Sequence, residues 1–445
     1  MRQLRTLLLV LVAWMAAACM VSAGPAATPQ LRYVVIITRH GVRSPTWTRD
    51  RLNQYSSDPW PDWGVPPGYL TPHGRVLMQL MGTYYRAWLL RENLLGPQGC
   101  VDAGRIYIHV DTDQRTLETG RALAETLLPG CTLAVHSVPE GSHDPIFSPG
   151  GAGFATPDMD IASREIQERL GDNAAHFLAL HRPAFEALQS VLVDGGSPPQ
   201  KLIEPPDGLS ITKTERSIQL SDALSVGASL GESLMLEYAD GMQGKDLGWG
   251  RLDTDKLMRI LELHALSSDL TRRTPYLART RGSNLLEHVL LSMEQAETGK
   301  AVPGALGATG TAVLILSGHD TNLANISGML GLSWKLPGYL PDDTPPGGAL
   351  IFSLWQERSD GGKYSVRTHY VAQTLEQMRS ATPLALAAPP AMQEVSLACS
   401  DAARGGNSCS WDSFADVIQK AIDNRFVLGL TAAPTAQGPE PSAGK

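Results

Sequence analysis

The chain has few of the residues that mark several specialised classes of protein. Only 18% of its 445 residues are charged and it has no long biased tract, which excludes a disordered chain and a coiled coil. Lysine and arginine number 37 against 45 aspartate and glutamate, so we expect no nucleic-acid partner. Five cysteines are too few for a disulfide scaffold, and the absence of a C-x-x-C pair disfavours zinc. The length suits two or three domains.

Common catalytic motifs are missing as well. The sequence contains no His-Glu-x-x-His, no Walker loop, no Gly-x-Ser-x-Gly and no dinucleotide fingerprint. Candidate functional residues therefore have to be found from the predicted strands and from the polar residues at their ends.

The N-terminus is predicted to be an export signal. Two arginines lie in the first five residues, an apolar run covers residues 7–21, and small residues precede a cleavage site after Ala23. The run of fifteen residues is too short for a bilayer span. We therefore expect cleavage of residues 1–23, a periplasmic or secreted protein and no stable membrane association. The alternative is a lipoprotein attached at Cys19.

Cleavage would leave an even number of cysteines. The four are Cys100, Cys131, Cys399 and Cys409. An even number in an exported chain favours two disulfides, and three pairings are possible. We choose the local pairing, which joins the first two and the last two.

Three predicted strands each end in a polar cluster. The strands are residues 33–37, 106–110 and 312–316, and the clusters are residues 38–45, 111–116 and 317–322. Helical patterns at 71–93 and 116–128 alternate with these strands, which predicts an α/β fold: a mostly parallel sheet flanked by helices on both faces. Ligands bind such sheets at the carboxyl ends of the strands, where all three clusters fall.

The pattern changes in the middle of the chain. Residues 158–270 have helical periodicity without clear strands, so we expect an α-helical cap domain inserted into an α/β core made of residues 27–157 and 271–430. Residues 350–355 and 364–370 are predicted to form a hairpin. Residues 431–445 are rich in Pro, Ala and Gly, which indicates a flexible tail.

The first cluster suits the chemistry of a phosphate monoester. It reads Arg-His-Gly-Val-Arg-Ser-Pro and places Arg39, His40 and Arg43 close together. Arginine forks match the geometry of phosphate oxygens and can neutralise phosphate without a metal, so we expect no cofactor. The imidazole of His40 resists protonation between cations, which leaves a neutral nucleophile.

The other two clusters supply a further cation and an acid. Arg115 lies at a helix N-terminus and would be a third fork, although alone it could be an ordinary surface arginine. Asp320 can protonate a leaving alcohol, and His319 can hydrogen bond to phosphate. Asp320 could also cap the helix predicted at residues 322–330, and both roles could hold together.

These residues resemble the signature of the histidine acid phosphatases: Arg-His-Gly-x-Arg-x-Pro near the mature start and His-Asp far downstream. The likeness is to the bacterial phytase and periplasmic acid phosphatase branch. It extends to residues 70–74, 113–120, 248–251, 318–348 and 373–383.

The resemblance implies a mechanism and a set of site residues. His40 would form a phosphohistidine, and Asp320 would be the proton donor. The implied phosphate-binding residues are Arg39, Arg43, Arg115 and His319, and the implied substrate-binding residues are Thr46, Glu232 and Arg281. The family's fold is an α/β core with an α-helical cap, and its cysteine pattern agrees with the local disulfides.

One departure concerns the substrate. Trp47 stands where several bacterial phytases have a lysine, and the loss of a cation at the cleft edge disfavours a strong preference for densely charged phytate. We predict a monomeric acid phosphomonoesterase acting on small-molecule phosphate esters, phytate included. The alternatives are a broad or sugar phosphatase with little phytate activity and, in another class, a non-catalytic phosphate-ester binding protein.

Overall fold

The computed structural model describes residues 28–428 except 172–175, 177–178, 196–197, 204–210, 214–217, 221, 358–361 and 401–406. The predicted export signal at 1–23 and the predicted tail at 431–445 lie outside the described residues.

One mixed sheet forms the centre of the molecule. The strands of the described residues are β1 (Gln30–Arg39), β2 (Ile106–Val110), β3 (Val135–His136), β4 (Ile211–Lys213), β5 (Ile218–Leu220), β6 (Val313–Gly318), β7 (Ala349–Gln356), β8 (Tyr364–Ala372), β9 (Ala391–Glu394) and β10 (Ser408–Ser410), of which β4 and β5 form a separate hairpin. The central sheet has the order β10-β8-β7-β1-β6-β2-β3, and β9 pairs with β8. The strand pairs β1–β6, β6–β2 and β2–β3 are parallel, as predicted. The remaining pairs of the central sheet, β1–β7, β7–β8, β8–β9 and β8–β10, are antiparallel.

Helices cover both faces of this sheet. The helices of the described residues, including those of the middle of the chain, are α1 (Arg49–Leu52), α2 (Pro72–Arg91), α3 (Gln114–Leu127), α4 (Met159–Leu170), α5 (Arg182–Leu192), α6 (Asp222–Ala239), α7 (Thr254–Arg272), α8 (Pro275–Thr298), α9 (Asp320–Leu330), α10 (Leu375–Arg379) and α11 (Trp411–Ala421). Along β1, Val35 and Ile37 join one core with Leu323 of α9, and Ile36 joins another with Leu123 of α3. A central strand buried on both faces has a continuous apolar sequence, and this is why it could be predicted.

The start of α2 shows how local sequence fixes an element beside the site. The Thr71 side chain accepts a hydrogen bond from the Gly74 backbone, and Pro72 occupies the first turn. A Cβ on Gly74 would lie 2.0 Å from the Val42 carbonyl oxygen, and one on Gly41 would lie 2.8 Å from Met78. The helix therefore packs directly against the segment after β1, which requires glycine at both positions.

The middle of the chain is mainly helical but also contains a short hairpin. We expected no strands in residues 158–270, and this was wrong for β4 and β5, which pair antiparallel. The short apolar sequence from Ile218 fits the periodicity of a helix as well as that of a strand, so its pattern does not separate β5 from the helix after it. Helix α7 ends at Arg272, two residues beyond the boundary expected for the cap domain. The next helix begins at Pro275, and a proline disfavours helical backbone at the residue before it.

Two disulfides join segments close in sequence. Cys100 pairs with Cys131 and Cys399 with Cys409, which is the local pairing. Across the described residues, every helix falls short of the length and apolar character needed to cross a membrane.

Candidate active site

Three strands end side by side at one edge of the sheet. In the register, Arg39 of β1 pairs with Gly318 of β6, and Val110 of β2 pairs with Ser317. The His40 backbone N–H donates to the Gly318 carbonyl at 2.9 Å, continuing this alignment. The polar clusters at the ends of the three strands are therefore brought together, as the carboxyl-end rule predicts.

His40 is buried and its ring is held in one tautomer. Its Nδ1 lies 2.8 Å from the Gly41 carbonyl oxygen, which can only accept, so Nδ1 carries the hydrogen of the neutral ring. Burial lowers the pKa of His40 well below its ordinary value, and the charges of Arg39 and Arg43 lower it further. In the neutral ring, Nε2 is thus left with an unprotonated lone pair.

Arg39 and Arg43 share one carboxylate from the helical part of the chain. Arg39 Nη2 donates to Glu232 Oε1, and Arg43 Nη2 donates to Glu232 Oε2 at 3.0 Å. Arg39 Nη1 also donates to the Thr344 carbonyl at 2.7 Å. Burial raises the pKa of Glu232, but Arg43 and Arg39 outweigh it and hold the pKa at about 2. Glu232 is therefore an anion that orients both guanidinium groups.

Arg115 and His319 face each other beside His40. Arg115 Nη2 lies 3.5 Å from His319 Nδ1, and the His319 ring meets the His40 ring edge-on at 5.6 Å between centroids. Two carboxylates fix this pair: Asp113 accepts from Arg115 at 2.6 Å, and Asp111 lies 2.8 Å from His319 Nε2. Arg115 is therefore part of the site and is not a solvated surface arginine.

The three arginines have one further feature in common. The Nε–H groups of Arg39, Arg43 and Arg115 are buried, and none has a hydrogen-bond partner among the described residues. Leaving a buried donor unpaired costs about 1–3 kcal/mol, more for a charged group. All three arginines lie close enough to His40 to lower its pKa, so these donors are available to an oxyanion bound beside that residue.

Asp320 is nearly buried at the first position of α9. Its Oδ1 accepts the Thr321 backbone N–H at 2.8 Å, and its Oδ2 accepts from Arg272 Nη1 at 2.5 Å. Burial raises the pKa of Asp320, but Arg272 and Arg39 outweigh it and hold the pKa well below its ordinary value. The N-cap of α9 is His319 and not Asp320, so the capping role considered for Asp320 belongs to its neighbour.

The predicted substrate-binding residues lie at different distances from this centre. Thr46 is exposed beside Gly68, where an added Cβ would be 3.6 Å from Thr46 and 3.5 Å from Arg115. Arg281 is further away: it donates to the Thr271 carbonyl at 3.1 Å, and burial followed by the charge of Arg272 lowers its pKa. In the described structure Arg281 therefore contacts α7, the helix that carries Arg272, and is linked to the site through that helix.

Several residues at the site were not assigned a role from the sequence. They are Asp111, Asp113, His264, Arg272 and the carbonyl of Thr344. Asp111 directly follows β2, so the strand-end rule gave a signal for it. His264 and Arg272 lie eight residues apart on one face of α7, a spacing that aligns side chains but does not say what they face.

Two groups of side chains present atoms of the kind that bind metals. One contains Asp111, Asp113 and His319, and the other contains Glu232, His264 and Asp320; in each group the candidate ligand atoms lie within 4.8 Å of one another. Every carboxylate in both groups already binds an arginine or a histidine. A cation would have to displace those partners, so the donor sets do not fit a resident metal well.

An α/β sheet edge that combines a neutral imidazole, three arginines and a carboxyl group is typical of enzymes that act on phosphate groups. The chain belongs to the histidine phosphatase superfamily, branch 2, whose family model matches residues 30–189 and 231–371.

Individual relatives agree with this family. The phytase AppA of Escherichia coli strain K12 is 36% identical over 406 residues, which cover 88% of this chain and 92% of the relative. A glucose-1-phosphatase of Providencia rettgeri is 27% identical over 408 residues, with the same coverage of 88% and 92%. The solved structure of Hafnia alvei phytase in complex with tartrate is 32% identical with a TM-score of 0.82, and the match covers 91% of this chain and 100% of that chain.

Proposed function

We propose that this protein is an acid phosphomonoesterase that hydrolyses small phosphate esters through a phosphohistidine at His40. The observation that carries the proposal is the set of three buried, unpartnered Nε–H groups of Arg39, Arg43 and Arg115, beside the unprotonated Nε2 of His40. These donors suit a bound phosphoryl group, and His319 adds a further hydrogen-bonding group to the same place.

The first chemical step joins His40 to phosphorus. The lone pair of Nε2 attacks the phosphorus atom, and the bond between phosphorus and the ester oxygen breaks. The electron pair of that bond goes to the leaving oxygen, which takes a proton from Asp320 and departs as an alcohol. The arginines stabilise the charge on the equatorial oxygens.

The second step reverses the role of Asp320. Its carboxylate accepts a proton from water while the water oxygen attacks phosphorus, and the bond between phosphorus and His40 breaks. Inorganic phosphate leaves and the ring nitrogen regains its lone pair. A binding protein would need neither the nucleophile nor the acid, so the presence of both disfavours the non-catalytic alternative.

Substrate preference is proposed from the relatives and from the rim of the site. The family relatives include phytases and glucose-1-phosphatases, so we propose phytate and sugar phosphates as substrates. In place of the lysine found in several phytases, Trp47 carries the Arg51 guanidinium 3.6 Å above its ring centroid. We propose that this exposed cation, held beside Trp47, partly replaces the missing one at the cleft edge and favours phytate over the broad-phosphatase alternative.

Two further parts of the proposal concern the whole protein. From the N-terminal sequence we propose export and cleavage of residues 1–23, which gives a periplasmic or secreted enzyme. We also propose that residues 158–270 act as a cap over the substrate, because Glu232 of α6 reaches Arg39 and Arg43 at the sheet edge.

The test is phosphate release by the purified protein in the presence of EDTA. Wild type should hydrolyse p-nitrophenyl phosphate, glucose 1-phosphate and phytate at acid pH without added metal. His40→Ala should lose all three activities, whereas substitution of His143, an exposed histidine without an assigned role, by alanine should keep them. Phosphate binding without release would establish the binding-protein alternative, and release from the first two substrates alone would establish the broad phosphatase.

A further inference from the structure

Both oxygens of Asp320 accept hydrogen bonds from protein groups. Oδ1 accepts the Thr321 backbone N–H at 2.8 Å and faces the Thr321 hydroxyl at 3.4 Å. Oδ2 accepts from Arg272 Nη1 at 2.5 Å. The Thr321 backbone N–H is fixed by α9, whereas the partner of Oδ2 is a side chain, so Oδ2 is the oxygen that can exchange its hydrogen-bond partner for a proton. That is the position now held by a guanidinium group.

This arrangement conflicts with the proposed acid role. A carboxylate that is ion-paired and accepts hydrogen bonds at both oxygens has no proton to donate. The Arg272 side chain is about 25% exposed and lies at the C-terminal end of α7, so it has room to adopt another position. A bound phosphate ester carries up to two negative charges and is a stronger partner for the guanidinium than one carboxylate.

We propose that Arg272 controls the protonation of Asp320: it pairs with Oδ2 while the site is free of substrate and moves to a phosphate oxygen when substrate binds. Oδ2 then takes a proton from solvent and can give it to the leaving alcohol. The inference rests on the proposed function, in which Asp320 is the proton donor, and it adds a residue and a switching step to that function.

Other groups also face Asp320, and each affects its charge. The cations and titratable groups around it are Arg39, Arg115, Glu232, His264, Asp343 and Tyr370. His264 Nε2 lies 3.8 Å from Oδ2, beyond hydrogen-bond distance. Within the described part of the chain, Arg272 is the side chain whose hydrogen bond occupies Oδ2, and removing it should therefore change when Asp320 takes up its proton.

The experiment compares two pH profiles for an alkyl phosphate such as glycerol 2-phosphate, whose leaving group needs a proton. The profile of kcat/KM reports groups in the free enzyme, and the profile of kcat reports groups in the substrate complex. In Arg272→Gln, the alkaline limb of kcat/KM should move up by about one pH unit or more, because an opposite charge has been removed. The alkaline limb of kcat should stay in place, because Arg272 has already left Asp320 in the complex.

Two variants accompany this comparison. Arg272→Lys keeps a cation and should restore most of the wild-type kcat/KM profile. Arg259→Gln removes the same charge from an exposed position on the same helix and should leave both profiles unchanged. Hydrolysis of p-nitrophenyl phosphate, whose leaving group needs no proton, should show little movement of its alkaline limb in any variant.

The outcomes separate the possible failures. If both profiles shift equally, Arg272 stays with Asp320 throughout and the switching step is wrong. If neither shifts while activity falls at every pH, Arg272 has only a structural role. If Arg272→Gln does not fold, the two profiles of the wild-type enzyme still test the proposal. The alkaline limb of its kcat profile should lie at higher pH than the alkaline limb of its kcat/KM profile. Coincidence of the two limbs would contradict the proposal. Failure of the proposed function itself would appear separately, as activity that survives in His40→Ala.

Discussion

The same cations place His40 and Asp320 in opposite states. Burial and then Arg39 lower the pKa of the His40 imidazole, which favours its neutral form. Burial raises the pKa of Asp320, but Arg272 and Arg39 outweigh it and lower that pKa, which favours the ionised form. The first effect favours the nucleophile at acid pH. The second must be relieved before Asp320 can act as an acid. The two residues therefore depend differently on what is bound among the arginines.

Replacing Asp320 by asparagine tests its role as the acid. Asp320→Asn keeps the size of the side chain but cannot donate a carboxyl proton, so hydrolysis of an alkyl phosphate should fall by about 10²–10⁴-fold. Hydrolysis of p-nitrophenyl phosphate should fall much less in the first step, because its leaving group is stable as an anion. The measurement is single-turnover release of each alcohol. Equal losses for both substrates would show that Asp320 is not the acid.

At the scale of one element, α6 holds two glutamates in contrasting environments. Glu232 binds two arginines, which hold its pKa at about 2. Glu237, five residues later, is fully buried and accepts the Gly248 backbone N–H at 2.9 Å, while burial raises its pKa to about 8. Gly248 has φ +50° and a Cβ there would lie 2.6 Å from Leu252, so this turn tolerates little change. Glu237 supports the turn as a neutral acid.

Glu237 should therefore make the protein more stable in acid. Because its folded pKa is raised above its unfolded value, its contribution is fully present below about pH 4.5 and is lost as the pH rises through about 8. Glu237→Gln removes this titration, so the free energy of unfolding should vary less between pH 5 and 8 than in wild type. Urea unfolding at several pH values measures it, with the exposed Glu186→Gln as control. An unchanged slope in Glu237→Gln would contradict a buried neutral Glu237.

The elements that could be predicted from sequence are those with continuous apolar strands. β2 was predicted with its observed bounds, and the polar residues after β1, β2 and β6 do meet, because parallel strands align their carboxyl ends. The hairpin of β4 and β5 was missed because three-residue strands carry too little periodicity. Arg272 was missed because its partner lies 48 residues further along the chain, and neither local pattern nor charge specifies that contact.

At the scale of the whole molecule, the fold concentrates cations in a chain that is acidic overall. The net charge is −8, yet Arg39, Arg43 and Arg115 converge from β1, the segment after it and α3. Separating these segments by unfolding disperses the three guanidinium groups. An anion that binds among them therefore binds the folded state alone, and it should stabilise the whole molecule.

Inorganic phosphate should accordingly raise the melting temperature of the protein. At a concentration of 100 times its dissociation constant, the expected stabilisation is about 2.7 kcal/mol. His40→Ala should retain the effect while losing turnover, because the Nε–H donors remain, whereas Arg115→Ala should lose most of it. Calorimetric scans with phosphate, and with potassium chloride at equal ionic strength, make the comparison. Since binding is measured without catalysis, stabilisation by both salts alike would show that the arginines do not form an anion site, whatever the enzyme's activity.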